Sequence, residues 1–301
     1  MKEFFGRVRI YFKAMFPLHV NGVAAVLFFT SFFFMVQVIS LGKIEYFSSA
    51  WFGFLTFFLC MLLPRFFDEL KDEGVDAAVF PNRPLVTGAV RYSDVKIMAI
   101  FGMIAILLLN LGRGMAIQGL FIYFIFLVLS WQWWLFPEKV SNTLWLVTVT
   151  HTPLVPLLNF YIYTVYLEVS GEPMHVSLAL PLCMLYWAPI LAWEYGRKIR
   201  APEEETDYLT YSKRWGAKKA AFVPLLAILC STCLWWMTCN AYHFSGVFLY
   251  YNLILGASVS LLILRFILKP VKETNIVKKS VESYIILYQA GALVYALLRG
   301  V

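Results

Sequence analysis

Three aspartates, Asp68, Asp72 and Asp76, follow one another at intervals of four residues near the end of a long apolar stretch. On an α-helix, a step of four residues turns about 40° beyond a full circle, so the three carboxylates share one face. Like charges at this spacing repel one another and destabilise the helix. A divalent cation relieves that repulsion, and carboxylate oxygens suit Mg²⁺, which also binds substrate phosphates. The spacing therefore predicts a magnesium site.

A second polar segment, residues 194–219, begins with Glu194 and three bases, Arg197, Lys198 and Arg200. Bases this close together concentrate positive charge, which favours the binding of phosphate groups. The predicted phosphate contacts come from both polar segments: Arg65, Lys71, Arg83, Arg197, Lys198 and Arg200. Two tyrosines of the second segment, Tyr208 and Tyr211, have two interpretations, as phosphate ligands or as part of a belt at the lipid headgroups.

The elements that must position these residues are apolar. Of the 301 residues, 61% are hydrophobic and 14% are charged, which excludes both an ordinary soluble domain and a disordered chain. A net charge of +7 indicates a nucleic-acid partner in some soluble proteins. Here the bases flank apolar segments, so we expect a membrane partner and no nucleic acid. Five cysteines, all in or beside apolar runs, argue against a disulfide framework.

Apolar runs of about 20 residues recur along the chain and predict an all-α polytopic membrane protein with nine transmembrane helices. We expect a single domain over residues 1–301, with an interfacial amphipathic helix over residues 1–19. Prolines should kink the fifth and sixth spans. The predicted spans are Val20–Leu41, Ser49–Phe67, Val95–Leu111, Met115–Phe136, Val140–Leu167, Met174–Tyr195, Ala217–Cys239, Gly246–Leu268 and Ser280–Leu298.

The distribution of bases predicts the orientation. With the N-terminus inside, all but Lys43, Arg113 and Arg299 of the 25 bases fall on the inner side. This asymmetry predicts a cytoplasmic N-terminus and two cytoplasmic loops, residues 65–94 and 194–219. The loops are four spans apart, so they share one orientation, which fits a parallel duplication of a four-helix unit.

The first polar segment resembles a known motif. Asp68-x-x-x-Asp72-x-x-x-Asp76, followed by Arg83-Pro84-Leu85 and then Gly88, is similar to the first signature of the UbiA superfamily of intramembrane prenyltransferases. That signature usually reads Asn-x-x-x-Asp-x-x-x-Asp, so Asp68 stands in place of the asparagine. In the second segment, Glu194 replaces a leading aspartate and residues 210–216 resemble the closing part of the second signature. Lys198 departs from the family pattern, because a further acid is usual there.

The resemblance implies a lipid-accessible central cavity and an Mg²⁺-dependent transfer of an isoprenyl group from its diphosphate to a lipophilic acceptor. It also implies that membrane lipid is a partner and surrounds both substrates. The catalytic residues it implies are Asp68, Asp72, Asp76, Glu194 and Lys198. Its metal ligands are the three aspartates with Glu194 and, in one arrangement, Glu203.

Two arrangements of the second segment remain open. In the first, one Mg²⁺ is held mainly by the aspartates, and the bases Arg197, Lys198 and Arg200 clamp the diphosphate from the opposite side. In the second, the helix breaks near Pro202, and the chain folds back to form a second metal site. The acids that would supply it are Glu203, Glu204 and Asp207, beside Glu194.

Polar groups at membrane depth often mark function. His151 and Asn159 in the fifth span are candidates for an acceptor pocket, although hydrogen bonding between helices explains them equally well. Trp131, Trp133 and Trp134 indicate an interfacial belt, with a role in the wall of a lipid cavity as the alternative.

Two other functions fit the same residues. A terpene cyclase of the same superfamily would use the diphosphate without an acceptor. A transporter of a cation or phosphorylated lipid is a third hypothesis, but transport sites usually lie near the bilayer midplane, whereas these acids lie at the ends of spans. The sequence leaves the acceptor, the prenyl chain length and the oligomeric state open.

Overall fold

The computed structural model describes residues 2–71, 74, 77, 80–206 and 208–300, and all regular secondary structure in these ranges is helical. The all-α fold predicted from the sequence is therefore confirmed. The helices are α1 (Lys2–Met15), α2 (Leu18–Leu41), α3 (Trp51–Lys71), α4 (Tyr92–Leu109), α5 (Gly114–Trp131), α6 (Pro137–Ser141), α7 (Leu144–His151), α8 (Leu154–Ser170), α9 (Val176–Gly196), α10 (Tyr211–Trp215), α11 (Ala217–Ala241), α12 (Gly246–Leu268) and α13 (Val277–Gly300).

Eight helices in the described ranges are long and apolar enough to cross a membrane, which makes the chain an integral membrane protein. They are α2, α3, α4, α5, α9, α11, α12 and α13. The difference from the predicted nine lies in the fifth span, which is divided between α7 and α8. Helix α7 has 8 residues, too few to cross the bilayer, and α8 has 17, at the lower limit for a span.

Prolines explain where that span divides. Helix α7 ends at His151, Pro153 flanks the break, and Pro156 lies in the first turn of α8, where a missing N–H breaks no helical hydrogen bond. Pro181 and Pro189, in contrast, lie within the continuous helix α9. The interruption is therefore confined to the fifth span, and it leaves His151 at a helix end.

Helix α1 is attached to the ends of two spans. The Arg7 guanidinium donates two hydrogen bonds to the Asp94 carboxylate of α4, at 2.7 and 3.0 Å. The Tyr11 ring is fully buried and lies 5.5 Å from the ring of Phe66 in α3. These contacts place α1 beside the end of α3 that carries the first polar segment.

The core is rich in aromatic side chains that join distant helices. Tyr186 of α9 contacts Phe32 of α2, with ring centroids 5.0 Å apart, and Tyr288 of α13, 5.4 Å apart. Trp235 of α11 lies 6.3 Å from Tyr288, and all four side chains are fully buried. The first and last spans thus pack against the same central cluster, and this scaffold holds the helix ends that carry the polar residues.

Candidate active site

The first polar cluster lies at the end of α3. The carboxylate of Asp68 is half exposed (51%), and one of its oxygens lies 3.7 Å from the Lys71 ammonium. Lys71 itself is only 9% exposed. Asp72 and Asp76 lie outside the described residues, so their predicted roles as metal ligands stay predictions.

Lys71 contacts residues that are far away in the sequence. Its ammonium lies 3.2 Å from Nε2 of His151 and 3.8 Å from the centre of the Trp133 ring. The Trp133 and His151 rings meet edge to face, 5.5 Å apart. Sequence reasoning missed Trp133, which it assigned to an interfacial belt. Lys71 and Trp133 are 62 positions apart, so no local pattern in the sequence indicates their cation–π contact.

The second polar cluster lies at the end of α9. Arg197 donates to both oxygens of the Glu194 carboxylate, at 2.7 and 2.8 Å, and the Lys198 ammonium lies 3.3 Å from the same carboxylate. Burial lowers the pKa of Lys198, although the charge of Glu194 opposes this effect. Glu194 thus serves as the counter-ion of two bases.

The two clusters approach each other. Asp68 interacts electrostatically with Lys71 and Arg65 on its own helix, and also with Arg197 and Glu194 at the end of α9. The structure therefore brings the ends of α3 and α9, with the half-exposed Asp68 carboxylate and several bases, to one side of the molecule.

The remaining part of the second segment is engaged in local structure. The Arg200 guanidinium donates to the carbonyl oxygens of Arg197 and Ile199, at 3.2 and 3.0 Å. Glu203 accepts from the backbone N–H of Lys272 at 2.5 Å, and this hydrogen bond lowers the pKa of Glu203. These contacts direct Glu203 toward the connection between α12 and α13.

Two neighbouring acids also have structural partners. Glu204 accepts from the backbone N–H of Ala201 at 3.0 Å and from the amide of Asn275 at 2.5 Å. Glu205 accepts from the Thr210 hydroxyl at 2.8 Å. These hydrogen bonds brace the loop between α9 and α10. Helix α10 itself ends before Gly216, which has a positive φ of 82°.

The two candidate tyrosines have different surroundings. Tyr211 is fully buried, its ring stacks on Tyr195 at 4.3 Å, and its hydroxyl contacts the Thr148 hydroxyl of α7. Burial raises the pKa of Tyr211. Tyr208 lies beside Phe80, with ring centroids 6.0 Å apart. Tyr211 therefore joins α7 to the second segment, and Tyr208 joins the two polar loops.

Arg65 and Arg83 line a cavity of about 610 Å³ beneath the end of α1. The other residues of its wall are Ala14, Met15, Phe80, Pro81, Asn82 and Pro84. Arg65 pairs with the buried carboxylate of Glu69, one helical turn away. The Arg83 guanidinium lies 4.1 Å from the centre of the Phe80 ring. Both predicted phosphate contacts thus share one cavity at this end of the molecule.

Asn159 lies away from this cluster. Its side chain is fully buried in α8, and its amide donates to the carbonyl oxygen of Cys183 in α9 at 3.0 Å. This is the interhelical hydrogen bond that was one of its two interpretations. His151, in contrast, belongs to the first polar cluster, because its Nε2 atom contacts the Lys71 ammonium.

The acidic side chains near Asp68 are the possible ligands of the predicted Mg²⁺. Within the described ranges, no three His, Cys, Asp or Glu side chains come together as a metal-binding group. Asp68 fits a metal ligand, because its half-exposed carboxylate has oxygen atoms available to a hard cation. Glu194 fits less well, since both of its oxygens are occupied by bases.

The fold can be compared with known proteins. A solved structure of a digeranylgeranylglyceryl phosphate synthase in membranes, a UbiA-superfamily prenyltransferase, aligns over 97% of this chain and 99% of that chain, with a TM-score of 0.66. The chain shares the fold of this neighbour. The two sequences are 15% identical, so the shared property is the fold. No protein-family model matches the chain, and no curated protein matches it in sequence.

Proposed function

We propose that this protein is an intramembrane prenyltransferase, which transfers an isoprenyl group from an isoprenyl diphosphate to a lipophilic acceptor. One observation carries the proposal: Asp68 and Lys71 at the end of α3 lie near Glu194 of α9 and near Arg197 and Lys198, which follow that helix, at one end of a helical bundle that shares the fold of the structural neighbour.

The charges at this end of the bundle support a phosphate-bearing substrate. A leaving diphosphate carries several negative charges, and fixed cations around it stabilise the charge that develops as the allylic C–O bond breaks. Lys71, Arg197 and Lys198 are held near Asp68 by defined contacts, so they are positioned before a substrate binds. Arg65 and Arg83 lie on the neighbouring cavity and extend the basic surface.

An Mg²⁺ ion would be held by Asp68 together with Asp72 and Asp76. When bound, it would withdraw electron density from the diphosphate oxygens. The pairing of Glu194 with two bases favours the lopsided arrangement, in which Arg197 and Lys198 face the phosphates from the side opposite the aspartates. In that arrangement, Glu194 acts as a positioning residue for the bases.

The acceptor is proposed to be a membrane lipid, because the substrate of such an enzyme must reach it through the bilayer. The structural neighbour's product is a prenylated glyceryl phosphate, so a lipid that carries a phosphate is the first acceptor class to test. We expect the inner, cytoplasmic side to carry the active site, from the asymmetry of the bases.

The test is turnover by the purified protein in nanodiscs with Mg²⁺ and farnesyl or geranylgeranyl diphosphate. We expect prenylated lipid and free diphosphate only when an acceptor is present, and neither product with Asp72→Ala. A cyclised hydrocarbon formed without acceptor would establish the cyclase instead. A protein that neither binds nor consumes isoprenyl diphosphates, with any acceptor lipid, would refute the proposal.

A further inference from the structure

The ammonium group of Lys71 has an unusually complete set of neighbours. It lies 3.8 Å above the Trp133 ring, 3.2 Å from Nε2 of His151 and 3.7 Å from the Asp68 carboxylate, and its side chain is 9% exposed. A lysine side chain has four rotatable bonds and normally extends into solvent. Here three different elements, α3, α7 and the turn after α5, fix its position.

The hydrogen bonds of His151 define which of its ring nitrogens carries the proton. Nδ1 lies 2.8 Å from the carbonyl oxygen of Val147, which can only accept, so Nδ1 carries the proton. Nε2 therefore has a free lone pair and accepts from the Lys71 ammonium. An ammonium has three N–H bonds, so the contacts with His151 and the Trp133 ring leave one for another acceptor.

The turn that presents Trp133 is strained. Trp133, Trp134 and Leu135 have positive φ angles of 52°, 55° and 65°, a region that non-glycine residues rarely adopt. The Trp134 indole N–H donates to the Thr150 carbonyl oxygen at 3.0 Å, which ties the turn to α7. Strained residues of this kind cluster at functional sites, where surrounding contacts hold them in place.

We propose that Trp133 and His151 are positioning residues that hold the Lys71 ammonium beside Asp68, where it binds the diphosphate of the substrate. The inference rests on the proposed function and deepens it. The indole face and the Nε2 lone pair orient the ammonium, and its remaining N–H bond is available to a phosphate oxygen. A permanent cation beside the carboxylates then neutralises part of the diphosphate charge.

The experiment measures the binding of farnesyl S-thiolodiphosphate, an unreactive substrate analogue, by calorimetry in detergent micelles. Loss of a buried cation–π contact or charged hydrogen bond typically weakens an interaction by about tenfold. We therefore expect the Kd to rise about tenfold in Trp133→Leu and in His151→Leu. In turnover, the KM for the diphosphate should rise while kcat changes less.

Two controls separate positioning from general damage. Trp131 belongs to the same segment but stacks on Phe67, with ring centroids 5.5 Å apart, so Trp131→Leu should leave the Kd unchanged. His151→Gln retains a side-chain acceptor and should retain most of the affinity. In a Lys71→Met background, adding Trp133→Leu should have no further effect on binding, since the ammonium it positions is absent.

The outcomes distinguish the two proposals. If the wild-type protein binds the analogue and both Trp133→Leu and His151→Leu bind it equally well, the positioning role is refuted and the proposed function stands. Additive losses in the Lys71→Met background also refute it, because the residues would then act independently of Lys71. If the wild-type protein fails to bind the analogue, the proposed function itself fails, and this inference fails with it.

Discussion

The substitution Glu194→Gln separates two roles for this residue. As a metal ligand, Glu194 would matter for activity, and its removal would relieve repulsion among acids without loss of stability. As a counter-ion, it neutralises Arg197 and Lys198, which are 37% and 12% exposed, while Glu194 itself is 19% exposed. Its loss would then leave two partly buried cations without a partner.

The contacts give the expected magnitude. A buried hydrogen bond to a charged group contributes about 1.5–3 kcal/mol, and Glu194 takes part in three close contacts with the two bases. Glutamine keeps one oxygen as an acceptor, and solvent screens the exposed part of Arg197. We therefore expect Glu194→Gln to lower the free energy of unfolding by about 2 kcal/mol. For a chain of this length, that corresponds to a fall in Tm of about 4 °C.

The assay is thermal unfolding in detergent micelles, followed by tryptophan fluorescence, with activity measured well below the Tm. The matched control is Glu45→Gln. Glu45 pairs with Lys43 at 2.6 Å, but the two side chains are 40% and 63% exposed and solvent screens the pair, so its loss should leave the Tm nearly unchanged. In the double variant Glu194→Gln/Lys198→Met, one orphaned cation is gone, so part of the lost Tm should return.

A clear result would refute this reasoning. If Glu194→Gln keeps the wild-type Tm, and added Mg²⁺ raises the Tm of the wild type but not of the variant, then Glu194 is a metal ligand. The lopsided arrangement would then be wrong, and the two-metal arrangement would take its place.

Four further predictions concern other residues. Asp72→Ala and Asp76→Ala should each abolish turnover while the Tm holds or rises slightly, and near-normal turnover at low Mg²⁺ would contradict the metal assignment. Arg83→Ala should raise the KM for the diphosphate more than it changes acceptor preference; an unchanged KM removes it from the site. Leu135→Asn should raise the free energy of unfolding by about 1 kcal/mol, because asparagine tolerates the positive φ; a lower Tm would contradict this. Glu203 has a lowered pKa in the folded protein, so its stabilising effect exists above its unfolded pKa and is lost as the pH falls through its folded pKa. Glu203→Gln should therefore flatten the acid side of the Tm–pH curve, and identical curves would show that this contact does not stabilise the fold.

Much of the fold followed from the sequence because the signals were local. Apolar runs of membrane length marked the helices, and the structure contains eight helices of this kind in its described ranges. Pro153 marked the position where the fifth span divides. The family resemblance rested on the spacing around Asp68 and Arg83, and the chain shares the fold of a solved member of that superfamily although the two sequences are only 15% identical.

The local spacing around Glu194 also indicated ion pairs, which the comparison with the family motif did not consider. Arg197 and Lys198 follow Glu194 by three and four residues, the spacings at which opposite charges on a helix pair. The comparison with aspartate motifs instead presented Glu194 as a metal ligand.

What the sequence determined by itself is most of the set of helices, because each helix depends on neighbours within a few residues. The shared face of the aspartates and the cytoplasmic side of the bases stay predictions. The tertiary structure decided that Lys71 meets His151, 80 positions away, and Trp133. These contacts depend on how helices pack and on a strained turn held by distant partners. Packing is settled by the whole apolar surface at once, so no short pattern in the sequence encodes it.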